Sequence, residues 1–313
     1  MLSRSKVVKE RGSLILAFLV SATAIISWLL TRRAINARLS VWLPYTYKSQ
    51  SPTSDCIAAR AASLEWLRLF PNNDDAFFAT HAGKHTMYDY LPPMWAAPTE
   101  RYGPAGGDGT KSLLDVRDLT VPSDPRCVIY SLGGNMQTEF EEAMLSATTC
   151  NVFTFDCTVS PTKMADMILS RDKTSKHNAG RFFFEPVCLG TDGAHVTITK
   201  MRYALRSAAS IMAELGHRRV DLLKMDIEGY EHDALPAFLS SVAAESLPSQ
   251  ISLELHWDKP ELDSLHVVKA LVSHGYVLVS REDNLIGYAD GCTELVFALG
   301  CSADKAGKGL GLP

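Results

Sequence analysis

The chain has 313 residues, 46% of them hydrophobic, and carries a formal net charge of −4. That is enough apolar material for a sizeable core, in one large domain or two small ones, and the acidic balance excludes a nucleic-acid-binding protein driven by bulk electrostatics. Its seven cysteines show neither a C-x-x-C pair nor Cys/His ligand spacing, and an odd number scattered over this length does not read as a disulfide framework.

The first element is "SLILAFLVSATAIISWLL", Ser13 to Leu30, uncharged and about as long as a bilayer core is thick at a rise of ~1.5 Å per residue. Arg4, Lys6, Lys9 and Arg11 precede it, and Arg32 and Arg33 follow. A cleaved signal peptide and a buried helix are the alternatives. The run is longer than a usual signal h-region, and a basic pair stands where a small-residue cleavage site belongs, so a signal anchor is expected. The expectation is a short cytosolic tail at 1–12, one transmembrane helix at 13–30, and the bulk of the chain on the lumenal side of the Golgi or endoplasmic reticulum in type II orientation.

Residues 31–98 read as a linker and N-terminal helical region. "YKSQSPTSD" (47–55) has the composition of a solvated linker. "CIAARAASLEWLRLF" (56–70) spaces its apolar residues as an amphipathic helix and stops at Pro71. His81 and His85 are four apart, but no acidic partner of metal-site type follows, so a solvated or packed pair is expected.

From Arg126 the pattern becomes regular. Strands are expected at 127–134 ("CVIYSLGG"), 151–157 ("NVFTFDC"), 181–190 ("RFFFEPVCLG"), 220–226 ("VDLLKMD") and 250–257 ("QISLELHW"). Helices are expected over "EFEEAMLSA", over 199–216 closed by Gly216, over "HDALPAFLSSVAA" with an interruption near Pro236, and over Asp263 to His274. "YVLVSRE" and "TELVFAL" then pair as a terminal hairpin. Strands alternating with helices predict parallel βαβ units in a doubly wound sheet covered on both faces. Cys150 and Cys157 bracket the second strand, and nothing in the spacing decides whether they pair.

Ligands of such sheets bind outside the carboxyl ends of the strands. The first strand ends in Ser131-Leu132-Gly133-Gly134-Asn135, where glycines permit a tight turn and close backbone approach. About twenty residues on, the second ends in Asp156, the place of an acid that accepts hydrogen bonds from ribose hydroxyls. Together they point to a nucleoside ligand. The loop is not G-x-G-x-x-G, which argues against a nicotinamide dinucleotide. The fourth strand ends in a knot of acids, Asp226, Glu228 and Glu231, around Gly229. A buried charge without a partner is expensive, so these acids either hang in solvent or serve a ligand.

Lys224-Met225-Asp226-Ile227-Glu228-Gly229-Tyr230-Glu231, with Ser131 to Asn135 and Phe155-Asp156, resembles the S-adenosylmethionine-dependent methyltransferases of the FkbM type. Arg101-Tyr102-Gly103 followed by Asp108-Gly109 resembles the "R-x-G…D-G-G" segment of methyltransferase-like relatives with a single-pass anchor, and Glu254-Leu255-His256 fits as well. The likeness covers roughly Thr99 to Leu299, with a methyltransferase domain at 99–300 and a flexible tail at 301–313. Thr110 stands where the segment has a second glycine, and the first-strand loop lacks the acid-x-G-x-G form of many methyltransferases.

The resemblance implies a Rossmann-like, class I methyltransferase sheet of seven strands with an antiparallel last pair, S-adenosyl-L-methionine as cofactor, and methyl transfer to oxygen on a glycan or small-molecule acceptor; the net charge is what argues against a nucleic-acid partner. Cofactor contacts are expected from Gly133, Gly134, Asn135, Asp156 and Asp226. Asp226 and Glu228 are expected to hold acceptor hydroxyls or a divalent metal. His256, whose unperturbed pKa lies near neutrality, is the expected general base, and Glu231 supports the next helix N-terminus. Two alternatives stand beside this reading: a type II glycosyltransferase using a nucleotide sugar and a metal at Asp226 and Glu228, and a tethered binding module without chemistry.

Overall fold

Short runs of branched and aromatic residues, each followed by a helix or a tight turn, build a twisted sheet whose strand ends carry the polar groups. The structure, a computed structural model, describes residues 52–68, 93–104, 109–119, 127–164, 180–198, 200–256, 261–283 and 292–299. The expected anchor at 13–30, the segments 1–12 and 301–313, and the pair His81 and His85 lie outside the described residues. Among those described, no helix is long and apolar enough to cross a membrane.

In chain order the elements are α1 (Pro52–Arg68), β1 (Glu100–Tyr102), β2 (Lys111–Leu113), β3 (Val128–Leu132), α2 (Glu139–Ala147), β4 (Asn151–Phe155), β5 (Phe182–Glu185), β6 (Cys188–Leu189), β7 (His195–Ile198), β8 (Met201–Arg206), α3 (Ala208–Leu215), β9 (Leu222–Met225), α4 (Glu231–Ser241), β10 (Gln250–His256), α5 (Glu261–Ser273), β11 (Tyr276–Asp283) and β12 (Cys292–Leu299). The main sheet has seven strands in the order β11-β12-β10-β9-β3-β4-β5. The strands from β10 to β5 run parallel, while β12 lies antiparallel between β10 and β11. This is the doubly wound sheet with an antiparallel last pair that the alternation and the resemblance imply. Strands β3, β9 and β10 are buried along their whole length, as a sheet covered on both faces requires. On one face, Phe140, Met144 and Leu145 of α2 pack on Ile129, Val152, Leu222 and Val296.

Five expectations need correction. The segment expected to be one helix over 199–216 is the strand β8 followed by α3. Lys200 takes a left-handed φ of 72° and turns the chain back, so β8 pairs antiparallel with β7. Ser207 stays extended while its Oγ accepts from the Ser210 amide, a cap that starts the helix only at Ala208, and Gly216 closes it at φ 69° as expected. The expected third strand at 181–190 is two strands, with β6 peeling away to join β8 in a separate three-stranded sheet. Helix α4 runs unbroken through Pro236, whose fixed φ suits a helix even though it removes one backbone donor. The expected linker at 47–55 already enters helix at Pro52. Finally, Cys150 and Cys157 do not pair with each other, and the cysteines do form bridges: Cys127–Cys150 and Cys157–Cys188.

The N-terminal helix belongs to the same core as the sheet. Cys56 and Ala59 of α1, with Trp95, pack on Val277, Val279 and Ala298 of the terminal hairpin. Arg60 of α1 donates to the carbonyl of Val272 in α5.

Candidate active site at the carboxyl ends of the parallel strands

A cavity of about 480 Å³ opens where β3, β4, β9 and β10 end, a size suited to a small-molecule ligand. One wall is the loop after β3. Gly133 has φ 80°, and a Cβ there would lie 1.6 Å from the carbonyl oxygen of Asp226, so no other residue fits. The loop is pinned at its start, with the Gly133 amide donating to Phe155 O at 2.9 Å and the Asp226 amide to Leu132 O at 3.0 Å.

Asp156 stands at the end of β4, as expected, but its carboxylate is engaged by backbone. Oδ2 accepts from the amides of Gly134 at 3.0 Å and Asn135 at 2.7 Å. Oδ1 accepts from the amide and hydroxyl of Thr158 at 2.7 and 2.6 Å. The acid therefore shapes the loop that would cradle a nucleoside, besides facing the cavity itself.

The acid knot after β9 separates into distinct roles. Asp226 lines the cavity and pairs with Lys224 at 3.3 Å, while Lys224 also donates to the Gly133 carbonyl. Glu228 occupies a left-handed turn, φ 56°, and its side chain is mostly exposed. Glu231 is fully buried at the start of α4. Its Oε2 accepts from the Gly229 amide at 2.9 Å, the helix-terminus support expected of it, and its Oε1 accepts from the His256 amide at 2.9 Å and meets His256 Nδ1 at 2.7 Å. Glu231 thus joins the ends of β9 and β10.

His256 Nε2 lies 3.4 Å from Glu228 Oε2, so the ring sits between two carboxylates. Burial by itself lowers its pKa, but the hydrogen bonds to Glu228 and Glu231 outweigh it and push the imidazole up to about 11. The ground for a general-base role, a ring titrating near neutrality, does not hold in this setting. At neutral pH the ring is a cation, or it is neutral only by ligating one.

A metal does fit here. Asp226, Glu228 and His256 each offer one ligand atom, all within 4.8 Å of one another. Glu231 fixes Nδ1 and leaves Nε2 toward the two acids, the way a carboxylate orients a ligating histidine.

Three contributors escaped the sequence reading. Lys111 of β2 is buried between Glu254 of β10, at 3.4 Å, and Glu294 of β12. Glu254 and Glu294 face each other directly across the β10–β12 ladder, and desolvation, eased by Lys111 and aggravated by Glu254, pushes Glu294 up to about 8. His232 is held by Gly229 O and Ser264 Oγ, both at 3.0 Å. Glu141 of α2 is buried against the cavity and accepts from Ser131 Oγ at 2.6 Å. Its only signal in the sequence is its place in the first turn of a helix that follows a glycine loop.

A parallel sheet in this order, with a glycine loop and an acid at its first two strand ends and an acidic cluster at its fourth, defines a class I methyltransferase fold. A family model described as "Methyltransferase domain" (Methyltransf_22) matches residues 69–298, and the chain belongs to that family. A probable methyltransferase-like protein 24 from Rattus norvegicus is 28% identical over 134 residues, which are 42% of this chain and 34% of the relative, so the match spans about a third of that protein's length. Among solved structures, the methyltransferase FkbM from Methylobacillus flagellatus is similar at 17% identity and a TM-score of 0.39, over 55% of this chain and 44% of that one. A fibrillarin pre-rRNA processing protein from Methanococcus jannaschii is similar at 10% identity and a TM-score of 0.36, over 65% and 89%. The family replaces the glycosyltransferase alternative.

Proposed function

We propose that the chain is an S-adenosylmethionine-dependent O-methyltransferase acting on a hydroxyl of a glycan or small molecule. The observation that carries this reading is a single cavity shared by the glycine loop, Asp156, and the cluster of Asp226, Glu228 and His256. Bound S-adenosylmethionine supplies an electrophilic methyl carbon on a sulfonium. Gly133, Gly134 and Asn135, in the loop that Asp156 shapes, would hold the nucleoside end in the cavity. Asp226 and Glu228 would orient the acceptor hydroxyl toward that methyl carbon and take up the proton the hydroxyl loses on methylation. His256, a cation between carboxylates, fixes Glu228 rather than acting as the base. Where a divalent cation is present, Asp226, Glu228 and His256 would hold it and supply a Lewis acid beside the acceptor oxygen.

The same reading keeps the anchor at 13–30 and a lumenal domain, in the Golgi or endoplasmic reticulum. Its support is the disulfides, two of them among the described residues, which persist in oxidising compartments. Alkaline carbonate should leave the full-length chain in the membrane pellet, and its release into the supernatant would remove the anchor from the proposal.

The chemistry is tested by incubating the full-length chain with methyl-labelled S-adenosylmethionine and free glycans. Label that survives mild alkali, as an ether does, is the expected result. Label lost to mild alkali marks a carboxyl ester and would replace the hydroxyl acceptor. Calorimetric binding of a nucleotide sugar with manganese, without binding of S-adenosylhomocysteine, would overturn the methyltransferase reading altogether.

A further inference from the structure

Buried carboxylates in a ligand cavity are normally matched by donors, and here most are. Asp156 is saturated by loop amides, Glu231 by the Gly229 amide and His256, Asp226 is paired with Lys224, and Glu254 with Lys111. Glu141 differs. It is 1% exposed, lines the cavity, and uses Oε1 to accept from Ser131, yet its buried Oε2 has no hydrogen-bond partner among the described residues. An orphaned buried acceptor costs on the order of 1–3 kcal/mol unless a donor arrives with a ligand. Desolvation raises the pKa of this carboxyl, and the nearby Lys224 ammonium opposes the rise. The group is therefore one that an added cation would stabilise as a carboxylate.

Its position decides which cation. The sheet register sets Ser131 beside Lys224, so Glu141 reaches, through Ser131, the end of the first strand. That strand offers only an uncharged hydroxyl there. Lys224 lines the same cavity one strand away, so the two residues set opposite charges close together, as the two ends of an α-amino acid require.

We infer that Glu141 binds the α-ammonium of the cofactor's methionine moiety, taking by way of a helix residue the place that the first strand leaves uncharged. The sulfonium carries no N–H and cannot satisfy Oε2; the ammonium can, with a charge-assisted hydrogen bond. This inference rests on the S-adenosylmethionine reading.

The test is calorimetric titration of the full-length chain with S-adenosylhomocysteine and with its analogue in which hydrogen replaces the α-amino group. The wild-type chain should bind the analogue about 10- to 100-fold more weakly, the range of one charge-assisted hydrogen bond. Glu141→Gln, nearly isosteric and still able to accept from Ser131, should lose a similar factor for S-adenosylhomocysteine and should hardly distinguish the two ligands. Equal affinity of the wild-type chain for both ligands overturns the assignment. So does a glutamine variant that weakens both ligands by one factor and keeps the difference between them. Failure of the wild-type chain to bind either ligand removes the cofactor reading and this inference with it, an outcome visibly different from the first two. If the glutamine variant does not unfold cooperatively, Glu141→Asp, which keeps the charge at shorter reach, should give discrimination between the wild-type value and none, and full wild-type discrimination there would overturn the assignment.

Discussion

A methyl group on Gly133 would place its carbon 1.6 Å from a backbone oxygen, in a residue already held at φ 80°. Neither problem can relax without moving the fourth strand end, because the obstructing atom is the Asp226 carbonyl rather than a side chain. Gly133→Ala should therefore cost more than ~1 kcal/mol from the left-handed backbone alone. It should also abolish binding of S-adenosylhomocysteine. A urea titration and a calorimetric titration check the two parts, and wild-type affinity in the variant would show that the loop does not form the cofactor wall. Gly133 and Asp156 were legible in the sequence because a turn and an acid at fixed spacing are local signals. The part of Glu141 was not, since its significance lies in one oxygen that lacks a donor, a property of the folded cavity. The environment of His256 was hidden for the same reason: only folding sets Glu231 against its Nδ1.

The β1–β2 hairpin owes its place to charge. Glu254, Glu294 and Glu282 stand in one row across β10, β12 and β11, and like charges directly opposite each other are unfavourable. The hairpin answers the row with Lys111 against Glu254 and Glu294, Ser112 donating to Glu282, and Arg101 pairing with Glu282 at 2.9 Å. Lys111→Met should destabilise the protein by about 3–5 kcal/mol, the usual result of stripping one partner from a buried ion cluster, and adding Glu294→Gln should recover part of the loss. Denaturant unfolding of the single and double variants measures both, and a Lys111→Met protein as stable as wild type would refute this account. The strands and helices of the main sheet followed directly from apolar periodicity. Two of the five corrections fall between 181 and 216, where β6, β7 and β8 form a small sheet beside the cavity. There the strand β8 runs without a break into a helix-like pattern, and only the Ser207 cap separates them, while the left-handed Lys200 divides β7 from β8.

For the molecule as a whole, two large buried shifts point one way. Glu294 is raised to about 8 from an ordinary value of 4.5, and His256 to about 11 from 6.5. In both cases the folded state holds its proton more tightly than the unfolded chain. The stabilisation is therefore complete below the unfolded value and is lost as pH rises, from about 4.5 to 8 for Glu294 and about 6.5 to 11 for His256. Measured with chelator present, stability should be lower at pH 9 than at pH 6, and Glu294→Gln should flatten the lower part of that slope. A flat profile in the wild-type protein would contradict the protonation states assigned here. The disulfides act on the same scale. Closing loops of 23 and 31 residues, each should contribute about 3 kcal/mol by constraining the unfolded chain. Because Cys157 and Cys188 also line the cavity, replacing both by serine should lower the melting temperature and weaken ligand binding together. Unchanged binding would confine that bridge to the scaffold. The pairing scheme bears on biogenesis as well. Both bridges among the described residues join cysteines that are consecutive in the sequence, and the first encloses β3, the glycine loop and α2. In a chain made in sequence order, Cys150 follows only 23 residues behind Cys127. The cofactor cradle can thus be locked as a short circuit while the rest of the sheet is still on the ribosome.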